Sequence, residues 1–487
     1  MGVNVQRLIG QLRWVSPVQL AFWGSLLLSV IAVLGAATIV KDAILYIDVG
    51  NVFLEQGFAE AYRTFNWPWF SLLLAASHWL TGISMEACAY FWCFLFMAGA
   101  CALAVDFTRR WVPGSGYLAC LVVLAAPGFN QFRGQILREF GFWFFCILAF
   151  WLADRWRTKG GWGRSGLVYL AIVLAALFRL EAIVLMPALL AWQVFGARDR
   201  SDCMRALHLG SWSLLMGGAA LLVLAFIGDL SVPRLEYYLD VIDPRYVLAS
   251  FQELSSRLAE GMRFKYSRDD AGQIVFFGML GVLLIKFLAG LGPLCVPLAS
   301  FRAWREVPSF WRVYGGFAWA WIAYFLMLMV AFIHNQFIIS RYSSFLDWLA
   351  VPLVTVVLWH FVRIFPRLGK VILLVALLAM ADNVISLGAK KTHYVEAGIW
   401  LAENVQAPSA TYYEDVRISY YAGWGGKRLP LDRDAAMSPE HAGMYRYFAI
   451  EAEGHEPWLQ DWLAERHKRV LAKFSNAKGD SVLVLGD

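Results

Sequence analysis

Charge is what this sequence has least of: 16% of its 487 residues are Asp, Glu, Lys or Arg, against 60% hydrophobic and 16% aromatic. A soluble domain cannot be built on so little charge, so the composition is that of an integral membrane protein. Most of the chain is then spent on spans of about 20 residues each, and dividing its length by that of a soluble domain has no meaning here. The net charge of +6 is more informative as a map than as a total.

Other absences narrow the reading. Of the seven cysteines, Cys88, Cys93, Cys101, Cys120, Cys146 and Cys295 lie in apolar segments and Cys203 in a short polar loop; none forms a CxxC pair. Neither disulfides nor a thiolate metal site are expected, and the cysteines read as small packing residues. The first apolar run is long and is followed by acids and bulky residues, not by a small-residue cleavage site, so it is expected to remain as the first span. No internal repeat of the kind common in transporters is visible. No nucleic-acid partner is expected.

What the sequence does have is a stretch from Lys41 to Phe70, directly after that first run, in which Asp42 and Asp48 stand at the mouth of a span ahead of an amphipathic segment and Trp67-Pro68-Trp69. Acids at this level avoid the cost of the bilayer centre yet stay close enough to meet a lipid-borne substrate. The stretch reads as a catalytic loop.

Basic residues orient the chain. Arg7 and Arg13 place the N-terminal tail in the cytoplasm, and Lys41 emerges outside. Residues 66–82 and 87–105 either cross as a hairpin or the first lies in the interface; a cytoplasmic Arg109-Arg110 requires a single crossing. The later runs then alternate so that Arg155, Arg157, Lys159 and Arg164, then Arg198, Arg200 and Arg205, then Arg302, Arg305 and Arg312, and finally Arg363, Arg367 and Lys370 share one side. About eleven spans result, with Gly290-Leu-Gly-Pro293 as a break inside the 273–300 run.

The expected fold is a polytopic α-helical membrane domain over residues 1–390, with extracytoplasmic loops 41–86 and 229–272, and a soluble α/β domain over 391–487. In the second loop Asp243-Pro244 starts a helix whose Val247, Phe251, Leu254, Leu258 and Met262 form an apolar stripe. In the tail, helices are expected near 395–403 and 457–467 and strands near 410–414, 445–450 and 469–473.

On the extracytoplasmic side the map gathers Asp42 and Asp48, Arg133, Arg138 and Glu139, Arg179 and Glu181, and His334 with Arg341. Arginine forks bind phosphate oxygens, and a carboxylate can accept the proton of an attacking hydroxyl or amide, so the set fits group transfer from a phosphorylated lipid. The structural alternatives are arginines that snorkel to headgroups, ion pairs Arg179–Glu181 and Arg138–Glu139, and a packed His334. Asp42 is favoured for catalysis. Asp48 shares the site, caps a helix, or binds a divalent cation with Asp42.

The loop around Asp42 resembles the first extracytoplasmic loop of GT-C glycosyltransferases of the protein O-mannosyltransferase and aminoarabinose-transferase kind. Asp42, Tyr46, Gly57 and Pro68 fall in that family's order; Phe178-Arg-Leu-Glu-Ala182, Ser340-Arg-Tyr342 with Pro352, Ile399-Trp-Leu-Ala-Glu-Asn404 and Ile418-Ser-Tyr-Tyr-Ala-Gly423 are similar to further family segments. Asp42 is followed by Ala43 where the family often has Glu, and Arg138-Glu139 stands where it often has Asp, so no metal ligand set is carried over.

The resemblance implies an inverting transferase in a bacterial inner membrane that takes a sugar from a polyprenyl-phosphate-linked donor to a protein, lipid or glycan acceptor on the periplasmic face. It implies Asp42 as general base, with Asp48 and Glu139 as further catalytic candidates. Tyr46, Arg138, Arg179, Glu181, His334, Arg341 and Tyr342 are the candidates for holding lipid phosphate and sugar. No cofactor is implied; a divalent cation is the alternative left open. Competing readings are a lipid-linked sugar flippase and a glycan polymerase or ligase.

Overall fold

A computed structural model describes residues 15–227, 233–307, 313–385, 388–427 and 429–487. Arg7, Arg13 and Arg312 of the charge map lie outside the described residues, as do residues 228–232 at the start of the second long loop and 386–387 at the end of the last expected span.

Among the described residues, five helices are long and apolar enough to cross a membrane: Pro17–Gly35, Met85–Trp111, Ala271–Ala299, Gly315–Asn335 and Ser340–Ile364. The chain is a largely helical, multi-pass membrane protein. Shorter apolar helices cover Gly116–Ala125, Trp162–Phe178 and Leu180–Gly196. At 1.5 Å per residue the 10 residues of Gly116–Ala125 reach only about 15 Å, half the hydrocarbon thickness. The expected break at Gly290–Pro293 is present: the α-helix Ala271–Leu291 stops where Gly292 takes φ +56°, and a 3-10 stretch, Gly292–Ala299, continues the run.

The chain divides into two compact units. One comprises Met1–Ile31, Trp92–Arg133 and Arg138–Val384; the other comprises Ala32–Phe91, Gly134–Leu137 and Ile385–Asp487. Within the first, the helix Pro244–Gly261 forms as its pattern predicts, with the Asp243 carboxylate accepting the Arg245 backbone N–H. Val247, Phe251, Leu254 and Leu258 are half-buried, with Ser250, Ser255 and Ala259 beside them, and the helix packs on Ala271–Leu291 and Gly315–Asn335.

In the second unit the stretch expected as a loop is helical from its first residue. The helix Lys41–Gln56 buries Ala43, Ile44, Tyr46, Ile47, Val49 and Gly50, an i, i+3, i+4 pattern that gives it one apolar face. It ends at Gly57, whose φ of +87° few other residues accept. Helix Trp69–Thr81 packs against it; its 13 residues, about 20 Å, are too short to cross a bilayer.

The tail of this unit folds around a four-stranded sheet of order β1-β2-β4-β3, comprising β1 (Thr411–Tyr413), β2 (Tyr447–Glu451), β3 (Arg469–Ser475) and β4 (Ser481–Gly486). β1 and β2 run parallel, and β4 is antiparallel to both its neighbours. Alternation along β4 divides the core: Val482 and Val484 pack with Tyr394, Leu401 and Ile418, while Leu483 and Leu485 pack with Tyr412, Phe448, Leu459 and Leu463. Helix Thr392–Asn404 supplies Tyr394 and Leu401, and helix Pro457–Arg466 supplies Leu459 and Leu463. Three strands and both helices sit where the sequence places them. The central β4 escapes the pattern because its side chains are buried on both faces, which removes the polar alternation that marks a half-exposed strand.

Candidate functional site

Within the second unit, Asp42 occupies the first turn of its helix, where the positive end of the helix dipole favours a carboxylate. It lines a cavity of about 640 Å³ together with Lys41 and with Tyr413, Glu414, Asp432 and Arg433 from the tail. Several bonds tie the start of the helix and the segments beside it to the tail. Lys41 Nζ lies 2.8 Å from Asp415 Oδ2, the Tyr421 hydroxyl accepts the Ile39 N–H at 3.0 Å, and the Tyr420 hydroxyl donates to Glu86 at 2.9 Å.

Asp48, two turns on, accepts the Gly426 backbone N–H at 3.3 Å. Burial pushes its carboxyl above the ordinary range, against the Gly426 bond, and nearby Glu55 adds to the rise. Tyr46 is buried, with its ring 5.3 Å from that of Phe70 and 6.2 Å from that of Phe65, and so holds the two helices together. Of the tail residues around Asp42, sequence reading singles out none: they are ordinary acids, tyrosines and arginines some 370 positions away, and only the fold makes them neighbours.

Within the first unit a second group assembles. Glu139 opens the helix Glu139–Lys159, with Arg138 at its N-cap position. Arg179 follows the last residue of Trp162–Phe178 in extended conformation, and Arg341 lies in the first turn of Ser340–Ile364. Arg179 Nη1 donates to Glu139 Oε1 at 2.8 Å, Arg341 Nε lies 3.1 Å from the same oxygen, and Arg179 also pairs with Glu181. The Arg179 guanidinium stands 4.7 Å from the Tyr342 ring, and the Tyr342 carbonyl accepts the Tyr324 hydroxyl at 3.1 Å. Arg138 is within electrostatic reach of Glu181 and Tyr238. Glu139 and Arg179 are buried, at 2% and 7% side-chain exposure, whereas Arg341 is 21% exposed.

Three arginines thus face two glutamates, and two of those arginines sit at helix N-termini, where the dipole already carries positive potential. Glu139 Oε1 is shared by two guanidiniums, those of Arg179 and Arg341. The expected Arg179–Glu181 pair is present.

Two other sequence candidates sit apart from these contacts. His334 is in the last turn of Gly315–Asn335, its ring 6.3 Å from that of Tyr237, whose hydroxyl donates to Asn335 at 3.1 Å. Arg133 is 1% exposed: Nη1 donates to the Ser25 carbonyl at 2.9 Å and to the Ser25 and Ser29 hydroxyls at 2.8 and 3.0 Å, and Nε to Asn130 Oδ1 at 2.7 Å. It ties the first helix to the Pro127–Asn130 turn, a structural duty the charge map cannot distinguish from a ligand's. Among the described residues, no three His, Cys, Asp or Glu side chains converge as a metal site.

No family model matches the chain, and no curated protein matches it in sequence. Solved structures that the chain is similar to include the Archaeoglobus fulgidus oligosaccharyltransferase tethered through a disulfide to an acceptor peptide containing the NVT sequon. That likeness covers 88% of this chain and 68% of the other, at 12% identity and a TM-score of 0.46. ArnT from Cupriavidus metallidurans bound to undecaprenyl phosphate covers 96% of this chain and 97% of its own, at 13% identity and a TM-score of 0.45; its apo state gives the same coverage and identity at 0.44. At these identities the roles of individual side chains rest on the geometry of this chain alone.

Proposed function

We propose that the protein is an inverting glycosyltransferase of the inner membrane, moving a sugar from a polyprenyl phosphate to an acceptor on the periplasmic face. The observation that carries this reading is the arginine group at the ends of apolar helices, with Arg341 partly open beside the buried Arg179–Glu139 pair. Such a group suits a phosphate anchored in the bilayer, and undecaprenyl phosphate is the lipid to test it with.

In the proposed step an acceptor hydroxyl or amide attacks the anomeric carbon as the bond from that carbon to the phosphate oxygen breaks. The electron pair leaves with the lipid phosphate, and the acceptor's proton passes to Asp42. An aspartate with an ordinary value near 3.9 is a weak base, so transfer of the proton comes late, once charge has moved to the phosphate. Fixed cations at the leaving group then matter at least as much as the base. Arg138, Arg179 and Arg341 take that part, positioned by Glu139 and Glu181; Tyr342 backs Arg179. Eleven crossings with the N-terminus cytoplasmic put the tail on the same side as Asp42.

Purified protein incubated with polyprenyl-phosphate sugars and candidate acceptors is expected to release free polyprenyl phosphate and glycosylated acceptor. If the sugar never leaves the lipid while reconstituted vesicles carry it across, the protein is a flippase and not a transferase.

A further inference from the structure

A cavity of about 460 Å³ lies within the first unit, with Trp111, Arg157, Trp192, Phe195, Arg198 and Arg205 in its lining. Arg157 stands about 27 Å along the helix Glu139–Lys159 from Glu139, so the cavity is at the opposite end of that helix from the Arg179–Glu139 group. One wall is rigid and cationic. Trp192 is buried, the Arg157 guanidinium stands 4.3 Å from its ring centre, and Gly315 and Gly316 press so close that a Cβ on either would overlap the indole. Another wall is apolar and open: Phe195 is 74% exposed and stacks on Trp319 with ring centres 5.1 Å apart. Three aspartates also line the cavity, but their oxygens are engaged within the protein. Asp154 Oδ1 accepts the Trp111 indole N–H at 3.0 Å and Oδ2 the Arg110 Nη1 at 3.3 Å; Asp202 Oδ1 is 2.9 Å from Arg205 Nη1; and Asp199 Oδ1 accepts the Asp202 N–H at 2.8 Å. Arg198 reaches Asp202 through its backbone N–H at 3.2 Å, and among the described residues its guanidinium makes no ion pair. Over residues 106–111, 154–164 and 198–205 nine Lys and Arg stand against four Asp, and residues 1–14 and 308–312 hold no acid that could offset them.

We infer that this cavity binds the headgroup phosphate of an anionic membrane phospholipid, in the leaflet opposite the arginine group of the proposed transfer site, with Arg157 and Arg198 on the phosphate and Phe195 along the chains. Guanidinium forks match phosphate oxygens, and basic pockets between membrane helices hold anionic headgroups. The apolar wall at Phe195 favours a lipid over a soluble phosphate, because an aqueous anion gains nothing from an exposed phenyl ring while an acyl chain buries against it. A zwitterionic lipid brings an ammonium into the same excess of cations and loses that gain.

Native mass spectrometry of the full-length protein in detergent, titrated with dioleoyl phosphatidylglycerol and dioleoyl phosphatidylcholine, tests this. The phosphatidylglycerol is expected to bind roughly fivefold or more tighter, the scale of one basic residue at an anionic surface. Arg157→Gln with Arg198→Gln is expected to bring that ratio near one. Arg198→Gln alone, which spares the packing of Arg157 on Trp192, is expected to lower it at least by half. Arg164→Gln with Arg200→Gln removes the same charge outside the cavity lining and is expected to leave the ratio unchanged. Equal binding of the two lipids, or an unchanged ratio in Arg198→Gln, overturns the inference. So does loss of the preference in the Arg164, Arg200 pair, which would assign it to diffuse surface charge, or in Arg341→Ala, which would assign it to the other arginine group. Glycerol 3-phosphate at a concentration equal to the lipid's is expected to displace none of it; displacement would make the ligand a soluble phosphate and overturn the assignment to a lipid.

Discussion

The ammonium of Lys41 lies 2.8 Å from Oδ2 of Asp415, a carboxylate with no exposed surface, so the residue before Asp42 is bonded into the tail. Arg417 binds the same carboxylate through Nη2 at 2.6 Å and Nε at 2.9 Å. Burial alone would raise the Asp415 carboxyl, but the bonds from Arg417 and Lys41 outweigh it and hold it at about 2, below the usual 3.8.

Because the folded value lies below the unfolded one, the stabilisation is fully present above about pH 4 and is lost as pH falls toward 2. The difference corresponds to about 2 kcal/mol. Thermal melts of the full-length protein between pH 7 and pH 3 are expected to show acid-sensitive loosening of the tail that Asp415→Asn removes, at the cost of a lower melting temperature at pH 7. A wild-type and variant pair with parallel pH profiles would count against this linkage.

Asp42→Asn preserves shape and removes the base. Transfer is expected to fall by about 10²- to 10⁴-fold, with expression and undecaprenyl phosphate binding unchanged. Asp48→Asn, whose carboxylate is occupied with Gly426, is expected to stay within about tenfold of wild type. Near wild-type turnover by the Asp42 variant would move the base to another carboxylate.

Much of the fold is legible in the residues themselves. Hydropathy shows the long apolar helices, Gly292 the break, Asp243 the start of the amphipathic helix, and the tail's short apolar runs three of its four strands. β4 is hidden because burial on both faces makes it a plain apolar run. The candidate site is half legible. Arg179, Glu181 and Arg341 stand out as charges among apolar neighbours, because each is costly there and needs a reason. Glu414, Asp432 and Arg433 carry no such signal, since acids and arginines are common in a soluble segment and their relation to Asp42 depends on tertiary structure. Arg133 shows the converse failure: its charge draws attention, but its bonds to Ser25, Ser29 and Asn130 are those of a tether.

That difference separates two alanine variants. Arg341→Ala removes a partly open cation and is expected to weaken binding of undecaprenyl phosphate by about tenfold or more, the scale of a lost charge-assisted bond. Arg133→Ala takes the guanidinium donors from the Asn130 side-chain oxygen and from the Ser25 and Ser29 hydroxyls in a buried interior. It is expected to destabilise the protein by about 2 kcal/mol or more while leaving the lipid affinity of the folded fraction unchanged. Isothermal lipid titration beside thermal melts reads both. Equal and small effects would mean that Arg341 only snorkels.

Gly128 tests the packing of the membrane helices. A Cβ there would run into the carboxyl of Asp347, which is 1% exposed on Ser340–Ile364, while the Gly128 carbonyl accepts the Ser344 hydroxyl at 2.6 Å. A Cβ at Gly290 meets the same carboxyl, so two glycines are moulded to one side chain and neither Asp347 nor its helix has room to yield. Gly128→Ala is expected to cost about 1–3 kcal/mol, because the overlap must be absorbed by shifts of packed backbone. Gly217→Ala, a helical position with nothing within 4 Å of the added carbon, provides the control and is expected to leave stability unchanged or raise it by a few tenths of a kcal/mol to about 1. Melting temperatures of the two variants in the same detergent decide the matter: if Gly128→Ala melts with the control, the Asp347 carboxyl is not held where the glycines place it.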